Sequence, residues 1–259
     1  MPRRTIAALA ALAALLVVAG CSVLPSAPDS VPADQVSRFS SNWSGRSLPQ
    51  DWKPWLISRT KGETRYELVV DPQTEKVVLH ARAERAASGM AQSLAVEPAQ
   101  RPKIAWRWRV NRLIESADNA DPHAEDAPVR LMLFFDGDRE RLPFKEQMLA
   151  ETARLLSGRE VPYATLMYVW ENRLPAGTLI PNSHTGQVKM IVASQGMAGL
   201  GQWQSLERDY VADYRRAFGT EPGKLIGIGV MTDTDNTGER AEAWYGDIEL
   251  RAAQRAATR

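Results

Sequence analysis

The sequence predicts a mainly β fold, a jelly-roll-like antiparallel β-sandwich with two short connecting helices. The first observation is strict alternation in residues 104–110 and 129–135, where apolar side chains take every second position. The second is a series of further β-rich segments, many separated by turn signals: 65–70, 76–83, 164–170, 188–194, 225–231 and 241–250. The third is that only two segments have helical periodicity, which favours a sandwich over an alternating βαβ fold.

The two helices are predicted from apolar stripes with a spacing of three to four residues. The first ends before Gly158 and the second before Gly219, because glycine is the favoured residue just beyond a helix. The stripes are Leu142, Met148, Leu149, Leu155 and Leu156 in the first helix, and Leu206, Tyr210, Tyr214 and Phe218 in the second. We expect both helices to cross a sheet edge.

The N-terminus has the three parts of an export signal. Arg3 and Arg4 form a basic start, residues 5–19 are uncharged and largely apolar, and small residues precede Cys21. The apolar run is shorter than the roughly 20 residues that a membrane-spanning helix needs. The segment Val-Ala-Gly-Cys resembles the bacterial lipobox, which implies cleavage before Cys21 and lipidation of its thiol. An ordinary secretory signal with an incidental cysteine is the alternative.

These features predict the organisation of the whole chain. We expect a signal peptide over residues 1–20, a Pro/Ser-rich tether over 21–38, one β-sandwich domain over 39–252 and a tail over 253–259. Ser22 after the cysteine favours the outer membrane, with the domain facing the periplasm. The membrane is thus a predicted partner through the lipid anchor.

Composition excludes several classes of function. Cys21 is the only cysteine, so the domain has no internal disulfide and no thiolate for catalysis or metal binding. The net charge of +1 includes Arg3 and Arg4, and their removal leaves 30 basic against 31 acidic residues. A nearly neutral domain of mixed charge argues against nucleic acid as a partner.

Several segments resemble one bacterial family, the domain of unknown function 3047. The strongest are Asp213-Tyr214-Arg215-Arg216-Ala217-Phe218-Gly219, Met231-Thr232-Asp233-Thr234-Asp235-Asn236-Thr237-Gly238 and Trp244-Tyr245-Gly246-Asp247-Ile248. Others lie at 48–52, 64–69, 104–110, 158–162, 168–170 and 201–203. The resemblance covers nearly all of the mature domain, but it implies no activity.

The segment 233–238 is the richest cluster of oxygen ligands. Asp233, Asp235 and Asn236 alternate or adjoin before a glycine, and short carboxylates in one tight loop suit a structural Ca²⁺ ion. A turn in which these side chains cap their own backbone is the alternative.

Basic residues are expected to form a ligand-binding face. If alternate residues of the two strictly alternating strands point into the core, Arg107, Arg109 and Arg130 point away from it. Lys189 joins them if Met190 and Val192 face inward. Arginine binds carboxylates and phosphates through two parallel hydrogen bonds. Trp170 and Trp244 are the tryptophans that we add to this ligand-binding set. A solvated face with cross-strand ion pairs is the alternative.

Candidates for catalysis are weak. The sequence has no Gly-x-Ser-x-Gly elbow, phosphate-binding loop, dinucleotide-binding glycine pattern or His-Glu-x-x-His helix. His184 lies in a turn-like segment and would act as an acid–base group beside a carboxylate. Tyr168 and Asp247 complete the candidate set, with Asp233 or Asp235 as other carboxylates.

These observations favour a non-catalytic envelope lipoprotein that binds a glycan or another anionic envelope polymer through one sheet face. A polysaccharide hydrolase or lyase on a jelly-roll scaffold is the first alternative. A structural module that docks a protein partner is the second.

The lipid anchor leads to a direct prediction. Cys21→Ser removes the lipidated thiol, so the domain should be released from membranes after cell lysis, whereas the parent chain should sediment with them. The measurement is fractionation after a high-salt wash, with Ser22→Ala as the matched control. A Cys21→Ser chain that still sediments with outer membrane contradicts the lipobox interpretation.

Overall fold

The computed structural model describes residues 33–41, 48, 51–58, 60–157 and 160–253, without the side chains of Leu156 and Ser157. The predicted signal peptide, Cys21 and most of the predicted tether lie outside these residues. None of the described helices is long and apolar enough to cross a membrane. The described end of the predicted tether packs on the domain, because Ala33 forms a β-bridge with Leu94 and Val36 is buried. The domain therefore begins before residue 39.

The described chain forms two sheets, two α-helices and two short 3-10 helices. The 3-10 helices are Phe39–Ser41 and Arg139–Arg141, and the α-helices are α1, Phe144–Ser157, and α2, Tyr210–Phe218. The strands are β1 Lys53–Leu56, β2 Arg65–Val70, β3 Val77–Glu84, β4 Ala87–Val96, β5 Lys103–Val110, β6 Arg130–Phe135, β7 Ala164–Glu171, β8 Leu179–Pro181, β9 Val188–Gln195, β10 Gln204–Asp209, β11 Leu225–Asp233 and β12 Arg240–Arg251.

The strands form a β-sandwich, which confirms the predicted fold class. The large sheet has seven strands in the order β1-β4-β11-β6-β7-β9-β8, and the small sheet has five in the order β10-β5-β12-β3-β2. One pair, β7 with β9, is parallel. This pair departs from the expected antiparallel pattern because β8 and β9 form a hairpin whose second strand inserts next to β7.

The main core lies between the two sheets. Alternate residues of β5 and β6 enter it, among them Trp106, Trp108, Leu131 and Leu133, and all four are buried. Each fully buried side chain of this size contributes about 1.5–3 kcal/mol relative to an exposed one. The alternation in the sequence therefore identified the core face of both strands.

The opposite face of the large sheet is also buried, which was not predicted although Met132 and Phe134 occupy outward positions of the alternating run 129–135. Met132, Phe134 and Met231 form a second apolar cluster there, and the ring of Trp55 lies 5.4 Å from that of Phe134. Gly229 makes room for this layer, since a Cβ at that position would lie 2.8 Å from a methionine methyl group. A charged residue on this face is consequently buried.

The second helix begins later than its apolar stripe suggested. Leu206 belongs to the edge strand β10, and α2 starts after Asp209, whose side chain accepts a hydrogen bond from the Ala212 backbone N–H at 2.8 Å. Gly219 ends the helix in the left-handed conformation with a φ of 74°. Asp209 is a favoured capping residue, so the helix start has a local cause.

Candidate functional site

The outer face of the small sheet carries a continuous stack of aromatic rings and guanidinium groups. The His80 ring stacks on Trp244, with centroids 4.8 Å apart and an interplanar angle of 6°. The guanidinium of Arg109 lies 4.2 Å from the Trp244 ring on the neighbouring strand. Trp203 contacts Arg109 at 5.4 Å and Arg107 at 4.9 Å. The stack consists of these five side chains, and each Arg–Trp contact is a cation–π interaction.

A buried carboxylate holds the centre of this stack. Asp71, in the turn after β2, is completely buried, and its Oδ1 lies 2.9 Å from Nη1 of Arg109. Its Oδ2 accepts hydrogen bonds from Trp203 Nε1 at 2.9 Å and from the Thr74 hydroxyl at 2.8 Å. Burial alone would raise the pKa of Asp71, but these hydrogen bonds and the Arg109 charge outweigh it, so the pKa is lowered. Asp71 is therefore ionised at neutral pH and fixes Arg109 and Trp203 together.

Arg107 ends the stack and lies across an irregular part of β12. The pairing of β5 with β12 shifts register between Tyr245 and Ile248, where Gly246 is located. A Cβ at Gly246 would lie 2.4 Å from Cγ and Nε of Arg107. Glycine at this position is thus what allows the Arg107 side chain to cross the strand.

A groove of about 390 Å³ opens beside Arg107 on the same sheet face. Its acidic residues already have partners: Arg251 lies 2.6 Å from Glu207 and 2.9 Å from Glu249. Asp247 accepts hydrogen bonds from the backbone N–H and hydroxyl of Ser40. The side chains of Arg107 and Lys76, which also line the groove, have neither an ion pair nor a hydrogen bond within the part of the chain that the structure describes. The lining thus has three basic and three acidic side chains, and Arg107 and Lys76 are its basic side chains without a partner among the described residues.

Arg130 does not belong to this face, and the prediction that it does is wrong. It lies on β6 in the large sheet and is 1% exposed. Its Nε and Nη2 bind the two carboxylate oxygens of Asp233 at 2.9 and 3.0 Å, and Nη2 also binds the backbone oxygen of Glu125 at 2.8 Å. The alternation sends Arg130 away from the main core, but the outer face of the large sheet is itself buried.

Lys189 and Trp170 are also misplaced by the prediction. Lys189 is on β9 of the large sheet, on the same side as Ile191, which packs in the main core. Met190 faces the outer apolar layer instead of the core, so the condition for Lys189 to join Arg107 is not met. Trp170 is completely buried, and its Nε1 donates to the Gly196 oxygen at 3.0 Å. Of the predicted ligand-binding set, the structure brings together only Arg107 and Trp244.

The acidic turn after β11 combines ion pairs with backbone capping. Oxygen atoms of Asp126, Asp233 and Asp235 lie within 4.8 Å of one another. Arg130 binds Asp233, and Lys61 pairs with Asp235. Asp126 accepts hydrogen bonds from the backbone N–H and hydroxyl of Thr237, both at 2.7 Å.

Asn236, the third predicted ligand, is not one of these clustered groups. Its side-chain amide donates to the backbone oxygen of Pro122 at 3.3 Å, and its backbone N–H donates to Asp126, also at 3.3 Å. Two basic side chains thus occupy the place next to the carboxylates where the sequence suggested Ca²⁺. Among the described residues, the side chains of Asp233, Asp235 and Asn236 bind other segments of the chain, and it is Asp126, from the loop before β6, that caps the backbone of this turn.

The candidate catalytic residues are in three separate environments. Tyr168 is completely buried and donates to Asp213 at 2.8 Å, and burial raises its pKa well above the ordinary value of 10.0. Asp247 accepts from Ser40 beside the groove. His184 is exposed in the loop before β9, and its backbone N–H donates to the Asn182 side chain at 3.0 Å. The described residues therefore form no acid–base pair from this set.

A scan of protein families matches residues 50–249 to proteins of unknown function, DUF3047. The chain belongs to this family. A search of curated proteins finds no match. Among solved structures, a cellulose-induced protein, Cip1, is 12% identical, with 88% of this chain and 100% of that chain covered and a TM-score of 0.39.

The enzymatically active domain of tailspike protein 4 from bacteriophage CBA120 is 7% identical to the chain, with a TM-score of 0.35. The match covers 79% of this chain and 20% of that chain, so this chain spans about a fifth of the length of the solved domain. At these TM-scores neither similarity indicates a shared function.

Trp203, Asp71, Lys76 and His80 belong to the site but were not predicted from the sequence. Trp203 precedes the edge strand β10, and Asp71 and Lys76 bound the turn between β2 and β3. Asp71-Pro72 is a turn signal in the sequence, but the contact of Asp71 with Arg109 depends on the strand order of the small sheet. Gly246 offered a usable signal, because a glycine inside a β-rich run indicates a bulge or a close approach of another group.

The buried pair of Arg130 and Asp233 predicts a pH-dependent loss of stability. Arg130→Met leaves a buried carboxylate unpaired, so the free energy of unfolding should fall by about 3–5 kcal/mol at pH 7.5. Burial raises the pKa of Asp233 from 3.8 to about 6 against the pull of Arg130, and the substitution removes that pull.

A carboxyl group whose pKa is higher in the folded than in the unfolded state stabilises the folded protein at pH values below its unfolded-state pKa. This stabilisation is lost as the pH rises through the folded-state pKa. The deficit of Arg130→Met should therefore be smaller at pH 5 than at pH 7.5, as measured by urea unfolding. Arg141→Met, at an exposed ion pair, is the control and should cost less than about 1 kcal/mol. An equal deficit at both pH values contradicts this account.

The same contacts predict that chelation leaves the fold unchanged. Because Arg130 and Lys61 pair with two of the three clustered carboxylates and Thr237 donates to the third, EDTA should not lower the melting temperature, and added Ca²⁺ should not raise it. The measurement is thermal unfolding followed by circular dichroism. A decrease with EDTA that Ca²⁺ reverses supports the calcium-binding alternative.

Proposed function

We propose that the protein is an envelope-anchored lipoprotein that binds an anionic saccharide in the groove on the outer face of the small sheet. The unpaired guanidinium of Arg107 is the observation that carries this proposal. It is held against Trp203 and Gly246 and has hydrogen-bond donors free toward the groove. A planar guanidinium suits a carboxylate or phosphate group, which it binds with two parallel hydrogen bonds.

The groove also supplies groups for a sugar ring. Lys76 adds a second free positive charge, and the hydroxyl-bearing Ser205 lines the opposite side on β10. Carboxylates along the groove, which are bonded to Arg251 or to Ser40, still have lone pairs that accept hydrogen bonds from sugar hydroxyls. A few polar groups around a concave surface are what small-molecule recognition requires.

The tryptophans hold the arginines of this face in position, and they do not form a platform on which sugars stack. Trp244 lies between His80 and Arg109, which come from the strands on its two sides. Trp203 contacts both Arg107 and Arg109. Recognition is therefore proposed to depend on charge-assisted hydrogen bonds.

The proposal includes a lipid anchor, and the N-terminal sequence supports this part of it. The basic start, the short apolar run and Val-Ala-Gly-Cys precede the domain, and Ser22 favours the outer membrane. A lipidated Cys21 would hold the saccharide-binding domain at the envelope surface where such polymers occur.

The saccharide site predicts a loss of affinity on substitution of Arg107. Arg107→Gln removes charge-assisted hydrogen bonds of about 1.5–3 kcal/mol, so the Kd for trigalacturonic acid should rise about ten- to hundredfold. Isothermal titration calorimetry is the measurement, and binding should also weaken as salt increases. Neutral cellotriose should bind much more weakly than the acidic trisaccharide.

The matched control for this experiment is Lys189→Gln, which removes a positive charge from the other sheet. It should leave the Kd unchanged, because Lys189 does not line the groove. Equal affinity of the parent chain and Arg107→Gln, or a preference for the neutral trisaccharide, would exclude Arg107 as the anion-binding residue.

A further inference from the structure

A second cavity, with no connection to the proposed saccharide site, lies beneath helix α1. It has a volume of about 230 Å³ and is bounded by Leu149, Ala150 and Ala153 of the helix and by Tyr163 and Val188 on the sheet side. Apolar cavities of about 150 Å³ already bind benzene when they are engineered into a protein core. This cavity therefore has room for a larger apolar group.

The cavity exists because α1 presents small side chains toward the sheet. Leu149, Ala150 and Ala153 fall on one side of a helix that turns 3.6 residues per turn. Leu149 and Ala153 are themselves exposed, so the cavity is open to solvent on one side, and Phe144 and Met148 fall on the opposite side of the same helix. Larger residues at 150 or 153 would fill the space that the alanines leave.

The charged and amide groups at the rim are already bonded within the protein. Glu146 accepts hydrogen bonds from the Thr185 hydroxyl at 2.5 Å and from the Gly186 backbone N–H at 3.0 Å. The side chain of Gln187 donates to the backbone oxygen of Tyr163 at 2.8 Å, and Arg139 donates to that of Val161. A polar ligand would have to break these bonds, whereas an apolar chain contacts the walls without breaking any.

We propose that this cavity binds the alkyl chain of a single-chain amphiphile such as a fatty acid. Leu142, Leu149, Pro162 and Val188 supply apolar contacts along the chain. His184, which also lines the cavity, is exposed. The polar head group of the amphiphile is therefore proposed to lie beside His184 and to face the solvent. The site involves no residue of the saccharide groove and does not depend on the function proposed for it.

Decanoic acid is the probe for this site. The full chain carrying Cys21→Ser, which has no lipid of its own, is titrated by isothermal calorimetry at several temperatures. We expect saturable binding with a negative heat-capacity change, the signature of apolar burial. Ala153→Trp fills the cavity and should raise the Kd at least tenfold, whereas Met148→Trp, on the opposite side of the helix and outside the cavity lining, should leave it unchanged.

Circular dichroism checks that each variant is folded. If Ala153→Trp does not fold, Ala150→Leu fills part of the space with a strong helix former and should also weaken binding. Arg107→Gln should bind decanoic acid like the parent chain, which separates this site from the saccharide groove. The proposal is overturned if folded Ala153→Trp or Ala150→Leu binds with the affinity of the parent, or if the parent does not bind.

Discussion

The alternation of β5 is the constraint on which both the core and the candidate site depend. Trp106 and Trp108 take the positions that face the core, so the residues between them must face the other way. Arg107 and Arg109 are therefore fixed on the outer face of the small sheet, two positions apart on the same strand. Trp203 occupies the space against both guanidinium groups. A slip of one residue in β5 would exchange the tryptophan core for arginines.

Two buried ion pairs then join the sheets to the segments that connect their strands. In the small sheet, Arg109 pairs with Asp71 in the turn after β2. In the large sheet, Arg130 pairs with Asp233, whose Oδ1 also accepts from the Ala127 backbone N–H at 3.2 Å. Pairs of this kind add little net stability over well-packed apolar residues, but loss of one partner leaves a buried charge. Their effect is to fix where the turns lie.

The sequence predicts well the features that local interactions determine, and it predicts poorly those that depend on contacts between distant segments. Strict alternation identified the core faces of β5 and β6, because side-chain direction is local. Strand β4 was missed, since its run of Ala, Ser and Gly has little β propensity and is held by pairing with β11 and β1. Strand pairing, which is non-local, also decides which side chains meet at the site.

The errors at Arg130 and Lys189 have the same origin. Alternation shows only that the side chain of Arg130 lies on the other face of the strand from those of Leu131 and Leu133. Whether that opposite face meets water depends on what covers it, and here a layer with Met132 and Phe134 does. Arg107 was placed correctly because the outer face of the small sheet has no such apolar layer among the described residues. The period of a strand assigns a face, but tertiary packing assigns its environment.

The contrast between Arg107 and Arg109 explains why only one of them is suited to bind a ligand. Arg109 is buried, and its charge is compensated by Asp71. Arg107 is half-buried and packs against Trp203 on one side and Gly246 on the other, yet neither contact uses its hydrogen-bond donors. Immobilising a long side chain on binding costs about 0.5–1.5 kcal/mol. Because packing in the free protein already restricts Arg107, much less of this entropy remains to be lost when an anion binds.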